Sequence, residues 1–293
     1  NGYLLTAFAS LTVCYAYVIY KRTKKPLHFI ITFLLFVLFL ITVRNPLYLT
    51  TPFTIFILDT FIIEKKIVIK NAIRYIWFFA AAGIYFVVFL GKVTQERLST
   101  LQTQYFLDPG STEPFYIRAP YTLSKSLELL VFPKVLTFYH EGDLVNLGLI
   151  WFVTLLFIVF ATYFFFRNKP IFGLFLLIPI SILPTFSPVQ ISWYVAERYL
   201  YMTNAFFCIL LAIFLLWIEK KTKVKNVAVI ILVVILCLYS VRTIMRNNDW
   251  FNEKSLWIAT AEASPNSPQA FNNLGDMYAK EKNWQKSAEM FLR

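Results

Sequence analysis

Apolar residues in this chain gather into long blocks separated by short polar connections. A helix needs about 20 mostly apolar residues to cross the hydrocarbon core, and fewer where flanking side chains snorkel. Eight blocks roughly qualify: 3 to 20, 27 to 43, 47 to 63, 73 to 91, 147 to 166, 170 to 184, 200 to 218 and 226 to 241. The sixth is short, and the third contains Pro52 and Asp59. The pattern predicts an all-α, polytopic membrane helix bundle of about eight spans over residues 1 to 241.

Short loops on the cytoplasmic side collect Lys and Arg, so basic clusters should fall on alternate connections if the spans are right. KRTKK (21 to 25), EKKIVIKNAIR (64 to 74), RNK (167 to 169) and EKKTKVK (219 to 225) do so, and they hold half of the 28 Lys and Arg residues. The turn at Arg44, the long loop 92 to 146, the loop 185 to 199 and everything after 242 then lie on the other side. Within the long loop, "YTLSKSLELLVFPKVLTFYH" places Leu123, Leu127, Leu130 and Val131 on one helical face ended by Pro133. This predicts an interfacial helix near 121 to 133, too short to span.

Beyond the last block the composition becomes that of a water-exposed segment. Residues 242 to 266 read as a juxtamembrane helical linker, with Asp249 as an N-cap and Trp250 and Trp257 a heptad apart on one face. In 267 to 293, Phe271, Leu274, Gly275, Tyr278, Trp284, Ser287 and Phe291 have the spacing of a tetratricopeptide repeat, the start of an α-solenoid. Small Gly275 and Ser287 let two helices approach while the large residues fill the seam. One repeat cannot bury its own face, so more are expected to follow, and both chain ends read as cuts in a longer protein.

Composition agrees with the membrane assignment: 58% hydrophobic residues, 15% charged residues and a mean hydropathy of +0.62 leave too little charge for an ordinary soluble surface. The net charge of +12 sits in the interhelical clusters rather than on a basic face, so no nucleic-acid partner is expected. Cys14, Cys208 and Cys237 all lie within apolar blocks and read as buried structural thiols, without metal or disulfide spacing. His28 and His140 have no second ligand at metal spacing, and no nucleotide loop or Ser/His/Asp arrangement occurs.

Ionisable residues at or inside spans are costly and therefore candidates for function. Arg44 follows the second span, where position alone suggests an interface anchor. Asp59 lies close enough to Lys65 and Lys66 for a structural pairing. Glu197 and Arg198 follow a Pro-broken segment and are followed by Tyr199 and Tyr201. The planar fork of Arg suits phosphate, and an adjacent carboxylate can orient it or act as a base. From the residues alone, a lipid-phosphate site and a salt bridge fixing the loop stand equally open.

"VAERYLYM" before an apolar span, then "RT..RN.DW.....LW" and "NNLGDMYAKEKNWQKSAEMF", resembles the transmembrane, tetratricopeptide-repeat O-mannosyltransferases of TMTC type and their bacterial relatives, within the GT-C glycosyltransferase superfamily. The resemblance covers essentially the whole chain and is most specific over Glu197 to Tyr201 and Arg246 to Trp257. "VRNPLYLTTP" resembles the family's Ser-Lys turn followed by Thr-x-Pro, with Arg44 in place of the Lys and Pro52 retained. The family's charged entry to its span appears here as "NGYLL", without the charges. The resemblance implies that the catalytic acid lies in an external loop before Asn1.

It implies transfer of a hexose such as mannose from a polyprenyl-phosphate donor to a protein Ser or Thr on the non-cytoplasmic side. Arg198, Arg44, Tyr199 and Tyr201 would hold the donor phosphate, Glu197 would orient Arg198 rather than act as the base, and the repeats would present the acceptor or a partner. No tightly bound cofactor is implied, and the resemblance leaves open whether a divalent metal takes part. The membrane would be the bacterial plasma membrane or the endoplasmic reticulum, with the repeat on the non-cytoplasmic side. Two other readings of the sequence are a non-catalytic repeat-bearing scaffold and a glycan-assembly protein like O-antigen ligases or polymerases; a transporter is disfavoured because no inverted repeat is visible.

Overall fold

The computed structural model describes residues 2–66, 72–93, 95–96, 99, 114–138, 140, 146–186 and 194–293, and among these it contains helices and turns only. The polar part of the long loop at 100–113 and the Pro-broken stretch at 187–193 lie outside the described residues. Among the described residues, seven helical segments are long and apolar enough to cross a membrane: Gly2–Thr23, Pro26–Val43, Pro46–Ile63, Ala72–Val93, Leu147–Arg167, Glu197–Thr222 and Val227–Asp249. The sixth expected span is a 13-residue helix, Lys169–Ser181, which rises only about 20 Å. The chain divides into two compact units, one made of 1–126, 147–194 and 198–207, the other of 127–146, 195–197 and 208–293.

In the first unit, α1 (Gly2–Thr23) and α2 (Pro26–Val43) pack together. Arg44 caps α2 in the left-handed conformation, φ 49°. Asn45 then accepts a hydrogen bond from the Leu47 amide, and Pro46 opens a 3-10 turn, Pro46–Thr50, that feeds α3 (Thr51–Ile57). The helix widens into a π-helical segment, Leu58–Ile63. Ser10 bonds Thr51 at 2.9 Å and Tyr17 bonds Asp59 at 2.9 Å, so α1 and α3 run in the same direction, one element between them reversing the chain. The core is aromatic: Phe78 of α4 (Ala72–Tyr85) makes edge contacts with Tyr17, Phe33 and Phe36. Such ring pairs add about 1 kcal/mol each to their burial.

The chain then forms α5 (Phe115–Val131), α6 (Leu147–Arg167) and α7 (Lys169–Ser181). Asn168 caps α7 through the Ile171 amide, with Pro170 in its first turn. At Gly173 an added Cβ would lie 2.9 Å from Phe61 Cβ, so glycine lets α7 approach the π-helical segment this closely. The expected interfacial helix near 121 to 133 starts earlier, at Phe115, and ends at Val131. Leu123 and Leu130 are buried as expected, but Val131 is 60% exposed.

The second unit contains the later part of α8 (Tyr201–Thr222) and all of α9 (Val227–Asp249). Cys208 and Cys237 are exposed, and only Cys14 is buried, which corrects the expectation of three buried thiols. The two exposed thiols sit on helices that are apolar all round, where an apolar neighbour in sequence does not imply a protein neighbour in space. Asp249 is the last residue of α9 rather than an N-cap. The next helix, α10 (Glu253–Ala263), is capped by Asn252 in a reciprocal box with Ser255. Trp250 and Trp257 therefore belong to different elements, yet both rings meet Phe138 at 5.5 Å.

Helices α11 (Pro268–Lys280) and α12 (Trp284–Leu292) form a helix–turn–helix, opened by the Ser267 cap and rejoined through the Asn283 cap. Phe271, Leu274, Gly275 and Ser287 are buried in the seam. Tyr278 is half-buried, whereas Trp284 and Phe291 are 67% and 49% exposed. Lys254 of α10 pairs with Glu281 at 2.7 Å; its hydrogen bond to that carboxylate, followed by their charge attraction, raises the ammonium above the ordinary lysine range, although partial desolvation opposes this.

Candidate functional site

Within the first unit, charge separates to the two ends of α1. Near its C-terminal end, Lys21 pairs with Asp59 at 2.8 Å and with Glu64 at 2.5 Å. Tyr17 and Tyr75 donate their hydroxyl protons to the other Asp59 oxygen, at 2.9 and 2.6 Å. The expected partners of Asp59 were Lys65 and Lys66; the partner supplied is Lys21, because the parallel run of α1 and α3 carries the two side chains to the same depth. Arg74 lies over the Tyr20 ring at this end, and the Phe61–Phe172 contact brings the start of α7, with Asn168 and Lys169, to the same π-helical segment. Three of the basic clusters thus share one end of the unit.

The other end gathers three tight turns. The Pro46–Thr50 turn, which follows Arg44, leads into Thr51 beside Ser10 and touches the 3-10 turn Leu183–Phe186. Ser181, at the end of α7, bonds Thr203 of α8 at 2.6 Å, which fixes the third turn, Glu197–Leu200, at the entry to α8. Buried Tyr199 packs its ring on Tyr3 at 5.2 Å, and the Arg198 guanidinium lies 5.7 Å from the Tyr3 ring and 5.4 Å from the Tyr199 ring. Tyr3 belongs to the "NGYLL" entry, whose lack of charge hid its aromatic contribution.

The guanidinium packs against this ring pair, whose π faces attract a cation. Arg44 is exposed, and its Nε donates to the Ile41 carbonyl at 3.3 Å. Tyr201 is 41% exposed at the start of α8. The structure therefore places Arg198, Tyr199, Tyr201 and the Arg44 turn at one end of the unit, opposite the basic clusters.

Glu197 belongs to the second unit, and its partner there is Arg246. Arg246 Nη2 lies 3.3 Å from Glu197 Oε1, and Nη1 lies 3.0 Å from Asp249. The Arg246 guanidinium also faces the Trp250 ring at 5.8 Å. His140 and Arg242 act on the Glu197 carboxylate electrostatically, and the Thr137 amide donates a hydrogen bond to it. His140 is buried, so the histidine that looked isolated in sequence belongs to a cluster. The available signal for Arg246 was an arginine continuing the period of the last span; for His140 there was none, since its partners lie far away in sequence. Among the described residues no group of His, Cys, Asp and Glu is arranged to hold a metal ion.

No family model matches the chain, and no solved structure matches it. Curated relatives do. Protein O-mannosyl-transferase TMTC3 of Mus musculus is 31% identical over 103 residues, 35% of this chain, and that of Homo sapiens is 32% identical over the same length. Protein O-mannosyl-transferase Tmtc2 of Drosophila melanogaster is 27% identical over 101 residues. The chain spans 11% of the length of each of these relatives. Over about a third of its length, then, this integral membrane chain is a partial homologue of the TMTC protein O-mannosyl-transferases.

Proposed function

We propose that the chain is the later membrane part of a GT-C-type glycosyltransferase that moves a hexose such as mannose from a polyprenyl phosphate to a protein Ser or Thr on the non-cytoplasmic side. The observation that carries this reading is the turn cluster: Arg198, packed against the touching rings of Tyr3 and Tyr199, shares one end of the first unit with the Arg44 turn. The positive-inside rule assigns the opposite, Lys-rich end to the cytoplasm, so the arginine turns face the compartment where the acceptor is modified.

In inverting transfer a carboxylate takes the proton from the acceptor hydroxyl while cations stabilise the departing phosphate. Arg198 and Arg44 supply cationic donors, exposed Tyr201 lines the approach while buried Tyr199 backs Arg198, and the base comes from the external loop that the resemblance puts upstream of Asn1. Glu197 is a positioning residue: it holds the turn before Arg198 through Arg246. The α11–α12 pair is the first tetratricopeptide repeat, whose exposed Trp284 and Phe291 rings form the face on which a following repeat would stack.

The test is mannosyl transfer by the intact protein from a polyprenyl-phosphate donor to an acceptor peptide. Arg198→Ala is expected to raise the donor KM about tenfold or more, the loss of a charge-assisted contact, and Arg198→Lys to recover only part. Unchanged donor KM in both variants would remove the phosphate role, and absence of transfer by the wild-type protein would favour a scaffold.

A further inference from the structure

A groove of about 440 Å³ opens in the second unit between the end of α5 and the face of α9. Val131, Phe132, Ile235 and Leu238 make its apolar wall, and Lys134 and Arg242 stand at one end. Ile235, Leu238 and Arg242 follow the i, i+3, i+7 spacing of one helical face. The apolar wall thus runs about 10 Å down α9 from the guanidinium, most of the depth of one leaflet of a hydrocarbon core roughly 30 Å thick.

The walls are fixed rather than incidental. Tyr239 donates its hydroxyl to the Leu130 and Val131 carbonyls at 2.9 and 3.0 Å, and Arg242 donates to the Pro133 and Lys134 carbonyls at 3.2 and 3.0 Å. These four bonds occupy carbonyls in the last turn of α5 and just beyond it that would otherwise need water. Arg242 uses only two of its five N–H groups in this way. Lys134 is exposed, with no carboxylate within salt-bridge distance among the described residues.

We propose that this groove is a binding site for one anionic phospholipid, its acyl chain along Leu238 and Ile235 and its phosphate on Lys134 and the free edge of Arg242. Lys134 and Arg242 bring two positive charges to this end against the one carboxylate, Glu197, on which Arg242 acts, so charge complementarity selects an anionic headgroup; a wall shorter than one leaflet suits an acyl chain rather than a long polyprenyl chain. The site is independent of the transferase reading, since it requires only that α9 span the membrane.

Native mass spectrometry of the intact protein, delipidated in mild detergent, tests it with three probes: dioleoyl phosphatidylglycerol, dioleoyl phosphatidylcholine and a polyprenyl phosphate. Wild-type protein should retain phosphatidylglycerol about tenfold better than phosphatidylcholine, as expected for one charge-assisted phosphate contact. Lys134→Glu should abolish that preference, and Leu238→Trp, which fills the groove from a lipid-exposed position, should lower retention of both phospholipids. Equal retention of the two phospholipids, retention unchanged in both variants, or stronger retention of the polyprenyl phosphate than of phosphatidylglycerol would each overturn the assignment.

Discussion

The Lys21–Asp59–Glu64 cluster and the Glu197–Arg246–Asp249 cluster have the same stoichiometry, one cation between two carboxylates, but different surroundings. The Asp59 side chain is 0% exposed and that of Lys21 9% exposed, and two tyrosine hydroxyls complete the carboxylate. In the other cluster Arg246 is buried, while the Glu197 and Asp249 side chains are 30% and 34% exposed. Removing one member of the first leaves charge stranded in apolar surroundings; removing a carboxylate from the second lets water replace it. The first cluster locks helices together, and the second is a joint whose carboxylates stay partly hydrated.

The largest effect is expected at the buried cluster. Asp59→Ala should destabilise the protein by about 3 kcal/mol, the lower end for an unpaired buried charge, because Lys21 retains Glu64. The double variant Lys21→Met, Asp59→Leu should recover most of that loss in thermal unfolding. If the single and double variants lose stability equally, the cluster is not a coupled pair and the contrast fails.

Two glycines sharpen the comparison at the level of packing. Gly173→Ala brings a Cβ to 2.9 Å from Phe61 Cβ, an atom fixed by the backbone of the segment carrying Asp59. About 1–3 kcal/mol of destabilisation is expected from such overpacking. At Gly275 the added Cβ meets the Phe291 ring at 2.7 Å, but that half-exposed ring can swing aside. The helix-propensity gain of about 1 kcal/mol then offsets the clash, and Gly275→Ala should be close to neutral by the same unfolding measurement. Equal losses at the two sites would show that the second unit is as rigidly packed there as the first.

Smaller still is the effect of Glu197→Gln, expected to cost about 1 kcal/mol or less because the pair is partly hydrated. A loss matching that of Asp59→Ala would make the joint a lock. The Lys254–Glu281 pair should contribute least. Its lysine is raised in the folded state, so its contribution is complete below the unfolded value near 10.5 and disappears as pH rises through the higher folded value. A titration of unfolding from pH 7 to 9 should therefore show no change assignable to Lys254 when wild type and Lys254→Met are compared.

The spans, the alternating basic connections and the helix–turn–helix near the C-terminus were legible because each is written in local periodicity. What escaped were partners set by long-range packing. Asp59 has lysines nearby in sequence, yet the shared direction of α1 and α3 delivers Lys21. Glu197 is adjacent to Arg198 in the chain, but the backbone sends the carboxylate to Arg246, 49 residues on. Asp249 looked like a cap because Trp250 seemed to begin a helix; α9 runs on through Asp249, where Arg246 one turn earlier holds it, and Asn252 becomes the cap. Cys208 and Cys237 were misread because a lipid-facing helix side is apolar without being buried.

Under the proposed function the arginine turns, and not the buried Lys21 cluster, would meet the donor. The direct measurement is the donor KM of the intact protein in two variants, Arg198→Ala and the compensated Lys21→Met, Asp59→Leu pair, with polyprenyl-phosphate mannose. A rise of about tenfold or more is expected for Arg198→Ala, and a donor KM within about twofold of wild type for the pair. Equal donor KM values in Arg198→Ala and wild type, or a rise confined to the Lys21 pair, would contradict the proposed function.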